Sequence, residues 1–143
     1  MFVQQISVFL ENTKGSLSRI TRVLSQNKID LIALSIADTE HYGILRGIVS
    51  DTEKAVSILK EAGYTVKLTD VLAVCVPDEP GGLASVLTLM NAADISIEYL
   101  YTFVRSSGSH ALVIFRVPDP QRAIQVLEEA GIKLLDQEQV YAL

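Results

Sequence analysis

A chain of 143 residues with 12 basic and 17 acidic side chains, net charge -5 and pI near 4.9 is poorly suited to a phosphate backbone, whose affinity comes from clustered Lys and Arg. Its lone cysteine, Cys75, excludes an internal disulfide and fits a small hydrophobe in a reducing compartment. The start, Met1-Phe2-Val3-Gln4-Gln5, has no basic flank or long apolar segment, so the expectation is a cytoplasmic protein that partners neither nucleic acid nor membrane.

Taken in order, Val3 to Leu10 is β-branched and aromatic and reads as a strand. A turn from Asn12 to Gly15 leads into a helix with Leu17, Ile20, Val23 and Leu24 on its apolar stripe, ending near Asn27. Asp30 to Ile36 and Gly43 to Val49 are strands joined by the polar Asp38 to Tyr42 connection. Asp51 is placed to cap a helix whose stripe is Ala55, Ile58, Leu59 and Ala62, and Gly63 stops it. Thr65 to Leu68 is a short strand, and Thr69-Asp70 is read as a break before the strand Val71 to Val76.

From there the order repeats. A helix from Gly82 to about Asn91 carries Leu83, Val86, Leu87 and Met90 inward, and Ile95 to Phe103 is the next strand. Ser106 to Ser109 is a hairpin turn, with Ala111 to Val117 as its outgoing strand. Asp119-Pro120 caps and opens a helix with Ala123, Val126, Leu127 and Ala130 inward; Gly131 ends it, and Lys133 to Tyr141 contains the last strand.

Superposing Gly15 on Gly81 shows why. At an offset of 66 residues Leu17 meets Leu83, Ile20 meets Val86 and Leu24 meets Met90; a longer second hairpin then moves the offset to 68, so that Ala55 meets Ala123 and Gly63 meets Gly131. The chain is a duplication of β-α-β-β-α-β, an α+β plan of two ferredoxin-like units with both helices on one face of a four-stranded antiparallel sheet, with expected domains 1–70 and 71–143. Units of this size barely sustain a core, so the halves should lean on each other. Leu112-Val113-Ile114-Phe115 and Leu31-Ile32-Ala33-Leu34 are apolar on both strand faces, which implies that the helix-free side is covered by the other unit, another chain or both, with a homodimer or larger assembly expected. If Phe115 faces the partner, Phe115→Glu should weaken that assembly.

With these elements in place, the turn Asp78-Glu79-Pro80-Gly81-Gly82-Leu83 and its copy Asn12-Thr13-Lys14-Gly15-Ser16-Leu17 resemble the ACT family of small regulatory domains, over both units. The copy departs from the motif at Lys14, where proline belongs. The resemblance implies a stand-alone tandem ACT protein that binds an amino acid or similar small effector, with no catalytic residues, cofactor or metal. It also implies effector sites between one unit's first turn and the corner after a neighbour's first helix. On this chain those are Asn12, Thr13, Lys14, Gly15, Ser16 and Leu17 with Ala93 and Ile95, and Asp78, Glu79, Pro80, Gly81, Gly82 and Leu83 with Asn27, Ile29 and Asp30.

Physical chemistry supports part of this independently. The N–H groups of each turn lie at a helix N-terminus, where a carboxylate finds donors and a favourable dipole. Asp78 or Asn12 then meets an ammonium group, or each merely ties or caps its turn. His41 and His110 belong to different units and lack metal-ligand spacing. Tyr99, Tyr101 and Phe103 alternate on one strand face; with Glu98 beside them and an acidic chain, they read as interface packing and not as a base-stacking platform. The leading expectation is a regulatory protein whose ligand alters a pairing surface or a regulated enzyme partner. The alternatives are an interaction adaptor with vestigial pockets and a small isomerase, the latter disfavoured because no nucleophile and base are placed together.

Overall fold

The structure, a computed structural model, describes residues 2–103 and 108–143. Its elements are β1 (Val3–Glu11), α1 (Ser16–Gln26), β2 (Leu31–Asp38), β3 (Tyr42–Val49), α2 (Thr52–Glu61), β4 (Val66–Pro77), α3 (Gly82–Ala92), β5 (Tyr99–Thr102), β6 (His110–Arg116), α4 (Pro120–Glu129), β7 (Leu134–Leu135) and α5 (Gln137–Tyr141). They fall into two compact units, Gln4–Thr69 and Asp70–Leu143, the latter joined by the N-terminal residues up to Val3.

In the first unit β3 lies between β1 and β2, antiparallel to both, with Phe9 opposite Ile44 and Ile36 opposite Leu45. The Phe9 N–H donates to the Thr65 carbonyl at 3.1 Å, bringing the entry to β4 beside β1. In the second unit β6 lies between β4 and β5, with Val74 opposite Val113 and Tyr101 opposite Ile114, and β7 pairs with β4 through Ala73–Leu135 and Val74–Leu134. Each unit thus arranges its strands in the same order. Two ferredoxin-like units with antiparallel sheets and helices are the architecture that the duplication implies.

The two cores match position by position. Ile6, Val8 and Leu10 of β1, Ile20 and Leu24 of α1, Leu45 and Val49 of β3, Ala55 and Leu59 of α2, and Val66 pack together in the first unit. Their counterparts Leu72, Val74, Val76, Val86, Met90, Val113, Val117, Ala123, Leu127 and Leu134 form the core of the second. Phe115 is the exception, because its counterpart is Gly47, where an added Cβ would come within 3.2 Å of the Ala33 carbonyl and 3.5 Å of the Leu31 side chain.

Several boundaries differ from the sequence reading. β4 runs through Thr69-Asp70 without a break, since neither residue removes a ladder donor or demands an unusual φ. β5 begins only at Tyr99. The last strand is two residues long, and Asp136 then starts a short helix: its side chain accepts from the Gln139 N–H at 2.8 Å while Gln139 Oε1 accepts from the Asp136 N–H at 2.9 Å. The expected turn at Ser106 to Ser109 begins outside the described residues; Gly108 follows with φ 62°. Leu112, Val113, Ile114 and Phe115 are all buried within the single chain. Phe115, at 0% exposure in the second core, faces no partner, so Phe115→Glu would attack the fold itself. Tyr101 and Phe103 are buried as well and form no open stacking platform.

Candidate functional site

Each unit presents the same glycine turn between its first strand and first helix. Gly15 and Gly81 adopt left-handed φ of 88° and 86°, a conformation that disfavours any side chain with a Cβ. The hydrogen bonds repeat as well: Thr13 N–H to Glu11 O at 2.9 Å and Ser16 N–H to Thr13 O at 3.2 Å correspond to Glu79 N–H to Pro77 O and Gly82 N–H to Glu79 O, both at 3.0 Å. Lys14, standing where the second unit has Pro80, leaves the turn unchanged. The second copy is tighter, because a Cβ on Gly82 would lie 1.9 Å from the Pro77 carbonyl oxygen.

The helix starts separate these turns from the other helical N-termini. Asp51 caps α2 by accepting from the Lys54 N–H at 3.1 Å, Asp119 caps α4 by accepting from the Arg122 N–H at 3.2 Å, and Asp136 caps α5. Neither α1 nor α3 has a side-chain cap or an acidic residue in its first turn. Among the described residues no side chain bonds their first N–H groups, so the positive ends of their dipoles lack the capping carboxylate that α2, α4 and α5 possess. Leu17 and Leu83, placed on the buried stripes by periodicity, are instead 46% and 37% exposed. As the second residues of their helices they lie over the turn, short of the core residues Ile20 and Val86. In the first unit a cleft of about 300 Å³ is lined by Asn12, Thr13, Gly15, Ser16, Leu17 and Ile36, among others.

Asn12 and Asp78 occupy equivalent places with different chemistry. In both copies the backbone N–H reaches the hairpin, Asn12 to His41 O at 3.0 Å and Asp78 to Ser109 O at 3.1 Å. Asn12 adds its side-chain amide, which donates to the Thr39 carbonyl at 3.2 Å and the Glu40 carbonyl at 3.5 Å. A carboxylate cannot donate, so Asp78 cannot copy this tie, and its exposed side chain has no partner among the described residues.

The corners after the first helices are also duplicated. Lys28 and Asp94 take left-handed φ of 58° and 57°, while the Ile29 and Ile95 N–H groups reach back to Leu24 O at 3.0 Å and Met90 O at 2.9 Å. A cation from the second helix closes each corner: Lys54 Nζ donates to Asn27 O at 2.8 Å and Arg122 Nη2 to Ala93 O at 2.6 Å. Sequence reading missed this pair, although Lys54 and Arg122 align at the offset of 68 and could have been found there. Ile29 and Ile95 are buried, whereas Asp30 is exposed, with its N–H bound to Ser50 Oγ at 2.9 Å.

Turn and corner of one unit do not meet. Gly15 and Asn27 flank the 11 residues of α1, and Gly81 and Ala93 flank the 11 of α3, a separation of about 18 Å at the α-helical rise. His41 and His110 are exposed, and among the described residues no group of three or more His, Cys, Asp or Glu could hold a metal ion. The Cys75 thiol is pushed upward in pKa by burial, with the Lys133 ammonium pulling the other way, so it is a poor thiolate at neutral pH. No helix of the described residues is long and apolar enough to cross a membrane.

A tandem pair of ferredoxin-like βαββαβ units, each opening on an uncapped helix behind a left-handed glycine, defines a class of small α+β protein. The family model for the ACT domain pair matches residues 1–143, and the chain belongs to that family. It is similar to a Bacteroides thetaiotaomicron protein of known crystal structure, with 41% identity, a TM-score of 0.93, and coverage of 100% of this chain and 98% of that one. In fold it also resembles the ligand-free regulatory subunit of aspartate kinase from Thermus thermophilus, at 16% identity and TM-score 0.64 over 89% of this chain and 91% of that one. The regulatory subunit of aspartate kinase from Thermus flavus is similar at 14% identity and TM-score 0.62, over 90% and 92%. None of the curated proteins matches the chain.

Proposed function

We propose that this chain is a regulatory module without chemistry of its own, which binds an amino acid or similar small effector at its glycine turns and passes the occupancy to a pairing surface or an enzyme partner. One observation carries the reading: of the five helices described, the two that follow the glycine turns lack the Asp cap that the other three possess. An effector carboxylate supplies the missing negative charge, and Leu17 or Leu83 offers apolar surface beside it. Because a turn and its own corner sit at opposite helix ends, a site using both takes its corner from another unit. The likeness in fold to regulatory subunits of a kinase supports a separate enzyme as the regulated partner. A ligand does this only by binding one arrangement better than another.

The Asp78 turn is the stronger of the two in this reading, since its carboxylate has no competing tie among the described residues and suits an ammonium group. For the Asn12 turn, the amide bonds to Thr39 and Glu40 favour the second reading, a structural adaptor with a vestigial pocket. Calorimetric titration of amino acids into the purified, ligand-free protein tests both. Asp78→Asn is expected to lower affinity by about 1–3 kcal/mol, the worth of a charge-assisted hydrogen bond, with the fold intact, and Asn12→Ala to lower it less. Unchanged affinity in Asp78→Asn removes that residue from recognition. No binding of any amino acid up to millimolar concentration favours the adaptor instead.

A further inference from the structure

The corners after α1 and α3 share a device that the turns lack. Lys28 and Asp94 are the only non-glycine residues with positive φ among the described residues, a strained conformation for a side chain with a Cβ. Neither α1 nor α3 has a basic residue in its own last turn. The cation comes instead from the third residue of the following helix, Lys54 of α2 to Asn27 O at 2.8 Å and Arg122 of α4 to Ala93 O at 2.6 Å. A positive side chain in the first turn opposes the dipole of its own helix. Both copies nevertheless carry one there, and in both the same residue gives its backbone N–H to the cap, Asp51 or Asp119. Each cation therefore joins the start of the second helix to the end of the first.

The two corners differ in how much depends on this link. In the first unit Ser50 holds the corner as well: its Oγ accepts from the Asp30 N–H at 2.9 Å, and its N–H donates to the Asp30 carbonyl at 3.0 Å. The second unit has Ser96 and Pro118 at these places, and proline has neither an N–H nor a hydroxyl with which to repeat those bonds. β5 accordingly opens at Tyr99, two residues beyond Ile97, the counterpart of the Leu31 that opens β2. Among the described residues, the Arg122 guanidinium provides the only hydrogen bond from another element to residues 93–96. It forms no ion pair among them, so no carboxylate competes for it.

We propose that Arg122 is a positioning residue for the effector corner of the second unit. Its bond to the Ala93 carbonyl keeps Asp94 left-handed and the Ile95 N–H turned back on α3, the shape in which the corner meets an effector. The proposal rests on the reading that effectors use these corners. Lys54 acts alike in the first unit but matters less, because Ser50 holds that corner too.

The test uses the intact, isotopically labelled chain, read by amide hydrogen exchange without ligand and by calorimetric titration with the common L-amino acids. Arg122→Met, at an exposed position, should speed exchange of the Ile95 amide about fivefold, the scale of a cation at a helix C-terminus, with the Leu127 amide of α4 unaffected. Lys54→Met should change the Ile29 amide less. Asp94→Gly added to Arg122→Met should restore slow exchange, since glycine takes the left-handed conformation without strain, and Arg122→Lys should preserve it. For at least one amino acid bound by the unaltered chain, Arg122→Met should lower affinity about fivefold and the added Asp94→Gly recover it. Unchanged exchange at Ile95 in Arg122→Met, or no rescue by glycine, overturns the positioning role. Faster exchange with affinity untouched for every amino acid makes Arg122 a structural tie alone and overturns its link to the effector. If no amino acid binds the unaltered chain, the effector reading fails, and the exchange measurement by itself decides whether Arg122 holds the corner.

Discussion

Gly81 and Gly82 are neighbours with opposite reasons for being glycine. Gly81 needs its left-handed φ of 86° but has open space around it, whereas Gly82 has an ordinary φ and no room, with the Pro77 carbonyl oxygen 1.9 Å from where a Cβ would stand. Gly81→Ala should therefore cost about 1 kcal/mol of backbone strain. Gly82→Ala should cost more, about 1–3 kcal/mol, because the backbone must shift. Urea unfolding of the two variants checks the order, and an equal loss would mean that the turn yields easily. Tyr64 poses a different question: its hydroxyl is buried with no hydrogen-bond partner among the described residues, and the second copy places Ile132 at this position. Tyr64→Phe should leave stability unchanged or raise it by about 1 kcal/mol, since a buried unsatisfied hydroxyl is removed; a clear fall in the same unfolding measurement would reveal a partner for that oxygen.

Helices in this protein end and begin according to what surrounds them. α2 stops on Gly63 and α4 on Gly131, both left-handed, while α1 and α3 stop on Lys28 and Asp94 in the same conformation, at a strain that glycine would avoid. The cations of Lys54 and Arg122 hold those two corners from the next helix. α5 is the clearest local device, since a helix of five residues is marginal by itself and both bonds of its capping box are made. Asp136→Ala should remove about 1 kcal/mol and expose the amides of α5 to faster hydrogen exchange, with the amides of α4 unaffected. Protection unchanged at Gln139 and Val140 would show that burial of Val140 alone holds the helix.

At the scale of the whole molecule the question is which apolar surface remains for a partner. The strand Leu112 to Phe115 is buried in the single chain and leaves nothing to cover. β2 differs: it is an edge strand, and its Leu34 and Ile36 are 36% and 39% exposed, beside unpaired backbone groups that invite another strand. The protein is expected to sediment as a dimer at micromolar concentration, and Leu34→Glu, at the exposed edge, to shift it toward monomer without loss of secondary structure. A mass of 15.6 kDa throughout the concentration range would defeat the dimer.

The duplication, the β-α-β-β-α-β order of each unit and the central core positions were legible in the residues, because a repeat tests every assignment twice: Ile20 and Val86, or Leu59 and Leu127, read alike and are buried alike, whereas Ala62 and Ala130, placed inward at the ends of their helices, are exposed. The caps at Asp51 and Asp119 were equally local and equally readable, and the box from Asp136 to Gln139 was readable but passed over beneath a strand pattern. Tertiary structure alone decided the rest, since it depends on what lies opposite in space. Periodicity placed Leu17 and Leu83 inward, yet as the second residues of α1 and α3 they stay exposed beside the turn. Four apolar residues in a row called for a cover without saying which, and Leu112 to Phe115 prove to be buried within the single chain. The difference in charge between Asn12 and Asp78 was plain in the residues, but only the approach of the Thr39 and Glu40 carbonyls gave it a structural consequence, by calling for a donor that an amide has and a carboxylate lacks.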